Sequence, residues 1–124
     1  MPSDPRELLP LKPLVFDVLR ALSEGDRHGW SLVREIQQDA RILPANFYRT
    51  LRGMLADGLI AETDPPAGER TAARREGTAD TFERRRYFTL TPLGREAARL
   101  EATRLQRLVA DARTQRLLKA GRKS

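Results

Sequence analysis

Leu43-Pro44-Ala45-Asn46-Phe47-Tyr48-Arg49-Thr50-Leu51-Arg52 and Arg84-Arg85-Arg86-Tyr87-Phe88-Thr89-Leu90-Thr91-Pro92-Leu93-Gly94-Arg95 decide the fold. In the first stretch and its continuation, Phe47, Leu51, Met54 and Leu55 fall on one side of a helix. Ala45, Tyr48, Arg49, Arg52 and Ala56 fall on the other. Pro44 suits the first turn, where its fixed backbone angle is already helical and its missing N–H would have had no partner. The second stretch predicts a basic strand with Phe88 and Leu90 inward and Tyr87 and Thr89 outward. It runs straight into a helix with Thr91 as N-cap and Pro92 in the first turn, although Gly94 denies that start a full capping box. A helix with a basic, aromatic outer face followed by an Arg-bearing hairpin is how a winged helix-turn-helix meets a DNA groove and its flanking phosphates.

Upstream, Leu11, Leu14, Val15, Val18, Leu19 and Leu22 predict a first helix, with Pro13 tolerated in its first turn and Gly25 as its stop. Phe16 lies off that stripe, either exposed or facing a second surface. A second helix is expected from Gly29-Trp30 to about Asp39, with Trp30, Val33 and Ile36 as its buried row, and His28 belongs to the turn before it. After the Pro44 helix, Gly58 is the stop and Leu59-Ile60-Ala61-Glu62 a short strand. Pro65 to Thr81 has no apolar periodicity, two adjacent prolines, two glycines and Arg70, Arg74 and Arg75, which predicts a mobile basic wing.

The helix after Thr91 is expected to run to about Ala120 and carries two apolar stripes. Leu93, Ala97, Leu100 and Leu108 form one, directed at the chain's own globular part. Ala98, Ala102, Leu105, Val109 and Ala112 form the other, at the four-three spacing of a coiled-coil seam. With Phe16 as a further contact, the second stripe predicts a homodimer.

A chain of 124 residues suits one small core. Charged residues at 32% against 6% aromatics predict long solvated helices around it. The 23 basic residues, nearly all Arg, outnumber 17 acidic ones and give a formal charge of +6. Arg makes bidentate contacts with phosphate and guanine, so the excess favours nucleic acid, although a general Arg bias also raises the charge. The chain has no Cys and one His, which leaves no thiolate or His-cluster metal site, and no cofactor is expected. No apolar run is long enough to span a bilayer and the start is unlike a signal peptide, so the expected location is the cytoplasm.

In order, Leu19-Arg20-Ala21-Leu22, His28-Gly29-Trp30, Phe47-Tyr48 with Leu51 and Met54, Asp57-Gly58-Leu59-Ile60, and Arg86-Tyr87-Phe88-Thr89-Leu90-Thr91-Pro92-Leu93-Gly94-Arg95 resemble the PadR-like transcriptional regulators from Leu8 to about Arg113. Phe47-Tyr48 stands where that family commonly has Leu-Tyr, and the wing, Thr63 to Thr81, is longer than usual. The resemblance is to the shorter subgroup with a single C-terminal helix. It implies dimerisation through that helix and the first one, repression of nearby genes, often for transport or stress, and release by a small-molecule effector.

The expected fold is therefore mainly α, a winged helix-turn-helix DNA-binding domain over 8–91 and a long C-terminal dimerisation helix over 92–120. The expected function is sequence-specific transcription regulation on an inverted-repeat operator in double-stranded DNA. Ala45, Asn46, Tyr48, Arg49 and Arg52 on the helix, with Arg84, Arg85 and Arg86 on the hairpin, are the candidate DNA contacts. Their alternative is an ordinary solvated face, or an edge whose charges discourage strand pairing between chains. Trp30 is read as core, with stacking on an aromatic effector as the alternative. No nucleophile–base grouping, Gly-rich phosphate loop or carboxylate pair points to an enzyme, and Glu96, Glu101 and Asp111 look like solvated helix charges. A winged-helix module for protein–protein contact or non-specific nucleic-acid binding is the rival function.

Overall fold

Apolar residues at helical spacing, broken by glycines of positive φ, set the element order. The computed structural model describes residues 4–37, 44–64 and 86–122. A 3-10 turn, Pro5–Leu8, leads to α1 (Pro13–Ser23), strand β1 (Arg27–His28), α2 (Gly29–Gln37), α3 (Pro44–Ala56), β2 (Ile60–Thr63), β3 (Tyr87–Leu90), α4 (Pro92–Ala110) and α5 (Ala112–Arg122). The fold is mainly α, a winged helix-turn-helix with a small antiparallel sheet, as expected. Gly25 (φ 148°) and Gly58 (φ 78°) follow α1 and α3, in backbone conformations that a β-carbon resists.

The sheet has three strands in the order β1-β3-β2, so the last strand in the chain is the central one. Ile60 pairs with Leu90 and Thr63 with Tyr87, while Arg27 pairs with Phe88 and His28 with Tyr87. His28, expected in a turn, is thus a strand residue. Two residues carry no readable period, and their partner lies far along the chain. Phe88 is fully buried as expected, and Leu90 packs on the core.

Val18, Leu19, Leu22, Leu32, Phe47, Leu51, Ile60 and Phe88 are the largest fully buried side chains. The α2 row departs from expectation: Leu32 and Ile36 are buried, Val33 is half-buried and Trp30 is exposed. Trp30 sits at the first turn, and the inward direction there is already filled from His28 and Leu32. Phe16 is half-buried against the core, with the Arg20 guanidinium carbon 5.8 Å from its ring centre.

Helix α4 docks through Gly94 and Ala97, and joins the rest at a tight turn-to-turn contact. Thr91 Oγ1 donates to the carbonyl of Gly58 (2.6 Å) or Leu59 (2.9 Å) and accepts from the Gly94 N–H (3.0 Å), the expected N-cap. A β-carbon on Gly94 would lie 2.0 Å from the Leu59 carbonyl oxygen. Glu101, expected to be solvated, is buried. The side-chain bonds from Arg104 (2.7 and 2.9 Å) compensate that burial, and the carboxylate also accepts from the Leu11 backbone N–H. The Arg104 bond, foremost, holds the Glu101 carboxyl below the usual carboxylate range against the opposing effect of burial.

The single long helix expected to reach Ala120 breaks at Asp111, whose φ of −62° and ψ of 138° are extended. Asp111 Oδ1 accepts from the Arg113 N–H at 2.9 Å and so starts α5 as a new helix. No Gly or Pro is needed, because an aspartate that caps the next helix stabilises the interruption. Leu108, placed on the inward stripe by spacing, lies beyond the end of the core and is 47% exposed.

Candidate nucleic-acid interface

Helix α3 is seated by Phe47, Tyr48, Leu51 and Met54, all buried. Ala45, Asn46, Arg49, Arg52, Gly53 and Ala56 are exposed. The expected outer face is thus present with one correction: Tyr48 is 9% exposed and packs edge-on against Phe47, with ring centres 5.7 Å apart. Its position three residues before Leu51 and seven before Leu55 puts it on the flank of the apolar stripe, which is wider than one row. Arg49 and Arg52, one turn apart, stand over small neighbours at 45, 53 and 56 that let a second surface approach the backbone. The helix carries no acidic residue.

The wing is rooted at the end of the sheet where Thr63 pairs with Tyr87. Arg86, expected to reach DNA, instead has its Nε 2.6 Å from Glu62 Oε1, on the neighbouring strand. Its Nε therefore faces the hairpin root. The spacing shows only that Arg86 is basic; the strand register brings Glu62 beside it. Arg84 and Arg85, with most of the expected wing, lie outside the described residues. The His28 and Trp30 rings stack at 5.8 Å and 14°, and the His28 and Tyr87 rings meet edge-on at 4.8 Å, next to the same root.

The expected dimer row is divided. Ala98 is half-buried against the chain's own core, Leu105 is half-buried, and Ala102, Val109 and Ala112 are exposed. The break at Asp111 puts Ala112 on a separate helix, so the row is not one straight seam. Leu108, Val109, Leu117 and Leu118 are exposed large apolar side chains along α4 and α5. The two α5 leucines were missed by the stripe analysis, although their adjacency in an otherwise polar helix was a visible signal. Among the described residues no group of His, Asp or Glu is arranged to hold a metal ion, and no helix is long and apolar enough to cross a membrane.

No family model matches the chain, and no curated protein matches it. Solved structures do. RosR of H. salinarum, in the complex RosR-S4, superposes with a TM-score of 0.60 at 22% identity, over 94% of this chain and 91% of its own. The adhesin competence repressor AdcR of Streptococcus pyogenes gives 0.53 at 17%, over 95% of this chain and 81% of its own. A ZitR variant of Lactococcus lactis gives 0.52 at 17%, over 91% and 71% respectively. The shared property is the mostly helical winged-helix fold with its three-stranded sheet.

Proposed function

We propose that this chain is a sequence-specific DNA-binding transcriptional regulator, a homodimeric repressor of PadR-like type that a small-molecule effector releases. The observation that carries the reading is the outer face of α3, where Arg49 and Arg52 project from a helix with no acidic residue. In a helix-turn-helix the second helix enters the major groove. There Arg recognises guanine O6 and N7, Asn recognises adenine N6 and N7, and the small Ala45 lets the helix seat deeply. Arg84, Arg85 and Arg86 add phosphate contacts from the hairpin, Arg86 from beside Glu62 at its root. DNA binding is assigned to 8–91 and dimerisation to 92–120, through Ala102, Leu105 and Val109 with the exposed Leu108, Leu117 and Leu118.

The fold it shares with a protein named as a repressor supports the regulatory reading, and effector release rests on the resemblance to the PadR-like family. The carboxylates of Asp17, Glu35, Glu62, Glu96, Glu101 and Asp111 each sit against an arginine, as expected of structural charges rather than acid–base catalysts. The test is a gel shift and footprint on the DNA upstream of the chain's own coding region. A protected inverted repeat is expected, with Arg49→Ala and Arg52→Ala each weakening it by about tenfold, the discrimination of one modest Arg–base pair. Equal affinity for that DNA and for random duplex would overturn sequence-specific regulation.

A further inference from the structure

Trp30, the chain's one tryptophan, is 37% exposed, although burial in the α2 row would have been favourable. It is nevertheless held. One stacked neighbour is His28, itself braced by Tyr87, and one turn along α2 the Arg34 guanidinium carbon lies 5.7 Å from the indole centre. Among the described residues Arg34 faces no carboxylate and the indole N–H meets no acceptor. Glu35, the nearest acid in sequence, is engaged by Arg27 at 3.4 Å. A cation and a donor are thus fixed beside each other, so little side-chain freedom is lost on binding.

The strand register shows where they stand. His28 pairs with Tyr87, the residue that pairs on its other side with Thr63 at the wing root. The Gly29 N–H donates to the Arg86 carbonyl at 2.9 Å. Helix α2 therefore starts at the wing end of the sheet, and α2 is the first helix of the helix-turn-helix, the one that crosses the DNA backbone when the second lies in the groove. We propose that Trp30 and Arg34 form a phosphate clamp on the DNA backbone between the groove occupied by α3 and the wing. Arg34 pairs with a phosphate, and the indole N–H donates to the same or the adjacent one. The His28–Tyr87 stack ties this clamp to the wing root, so the two contacts seat together. The inference rests on the DNA-binding reading above.

Phosphate contacts carry no sequence information, so a random duplex of about 30 base pairs at low salt is a sufficient probe. Trp30 emission during titration is expected to change and to saturate with the gel shift. Arg34→Gln should lose about fivefold in affinity, the upper end for an exposed ion pair, and lower the salt slope by about one. Trp30→Phe should lose less, because the ring remains and only the donor goes. Arg116→Gln, which removes the same charge from α5, should leave the emission change intact and cost less affinity. A normal gel shift with unchanged Trp30 emission, or Arg34→Gln indistinguishable from Arg116→Gln, overturns the clamp and leaves the DNA reading standing. An emission change that follows protein concentration without DNA overturns it in favour of contact between copies. No gel shift on any duplex, upstream region included, overturns both.

Discussion

Gly94→Ala and Gly53→Ala replace the same residue type inside two helices and should have opposite effects. At Gly94 the new β-carbon would stand 2.0 Å from the Leu59 carbonyl oxygen and 3.0 Å from both the Leu59 carbonyl carbon and Leu90 Cδ1. The first obstacle is backbone, so no rotamer change relieves it, and α4 must retreat by about 1 Å to restore an approach that β-carbons tolerate. That movement pulls on the Thr91 hydroxyl, which donates to the Gly58 carbonyl at 2.6 Å or the Leu59 carbonyl at 2.9 Å, and on the Thr91 N–H at 3.3 Å from Leu59 O. Losing one or two such bonds costs about 1 kcal/mol each, and overpacking a tight contact adds about 1–3 kcal/mol. The helix propensity gained by Ala returns at most about 1 kcal/mol, so the net loss is about 1–4 kcal/mol. At Gly53 a β-carbon meets nothing within 4 Å, so the propensity gain of up to about 1 kcal/mol stands alone. Urea unfolding followed by circular dichroism measures both, as midpoints at constant slope. A Gly94→Ala protein as stable as the parent would refute the claim that the α4 start is a backbone-on-backbone contact.

Tyr48→Ala should destabilise the fold by about 3 kcal/mol, as other large aromatic truncations in a core do; a variant that weakens DNA binding at unchanged stability would show the ring pointing outward. Glu101→Gln removes a carboxylate whose pKa is depressed in the folded state. Its stabilisation is present above the ordinary glutamate value of about 4.3 and is lost as pH falls through the lower folded value. The stability gap between parent and variant should therefore be full at pH 7 and close in acid, and a gap that widens on acidification contradicts the assignment. Leu105→Asp should convert a dimer at micromolar concentration to monomer in sedimentation and abolish operator binding; a monomeric parent, or a dimeric variant that still binds, sinks the assembly model.

Most of the fold was legible because its determinants are local. The stripe from Leu11 to Leu22, the stops at Gly25 and Gly58, and the Thr91 cap each act within a turn of their own position. What escaped depends on neighbours distant in the chain. Arg27 and His28 become a strand only because Tyr87 and Phe88 arrive beside them. Arg86 is basic in any reading, and only the register supplies Glu62. Glu101 looks like a surface charge until the Leu11 N–H and Arg104 are placed around it. Tyr48 escaped for a different reason, since its position on the flank of the buried row was read as part of the opposite face. On the candidate interface, Ala45, Asn46, Arg49 and Arg52 could be read directly, because an exposed face is what remains once Phe47, Leu51 and Met54 are assigned inward.

The order β1-β3-β2 also bears on how the chain is made. Synthesis runs from the N-terminus at about 5–20 residues per second, so α1, α2 and α3 emerge with their apolar faces turned toward elements that do not yet exist. Strands β1 and β2 flank an empty lane until residues 87–90 leave the ribosome, and Ala97 and Glu101 complete the core later still. A nascent chain stalled before Tyr87 would expose two unpaired strand edges and the cavity meant for Phe88, the kind of surface that chaperones bind and aggregates grow from. The final third of the chain therefore controls when this protein completes its core, whatever its first two thirds have already folded.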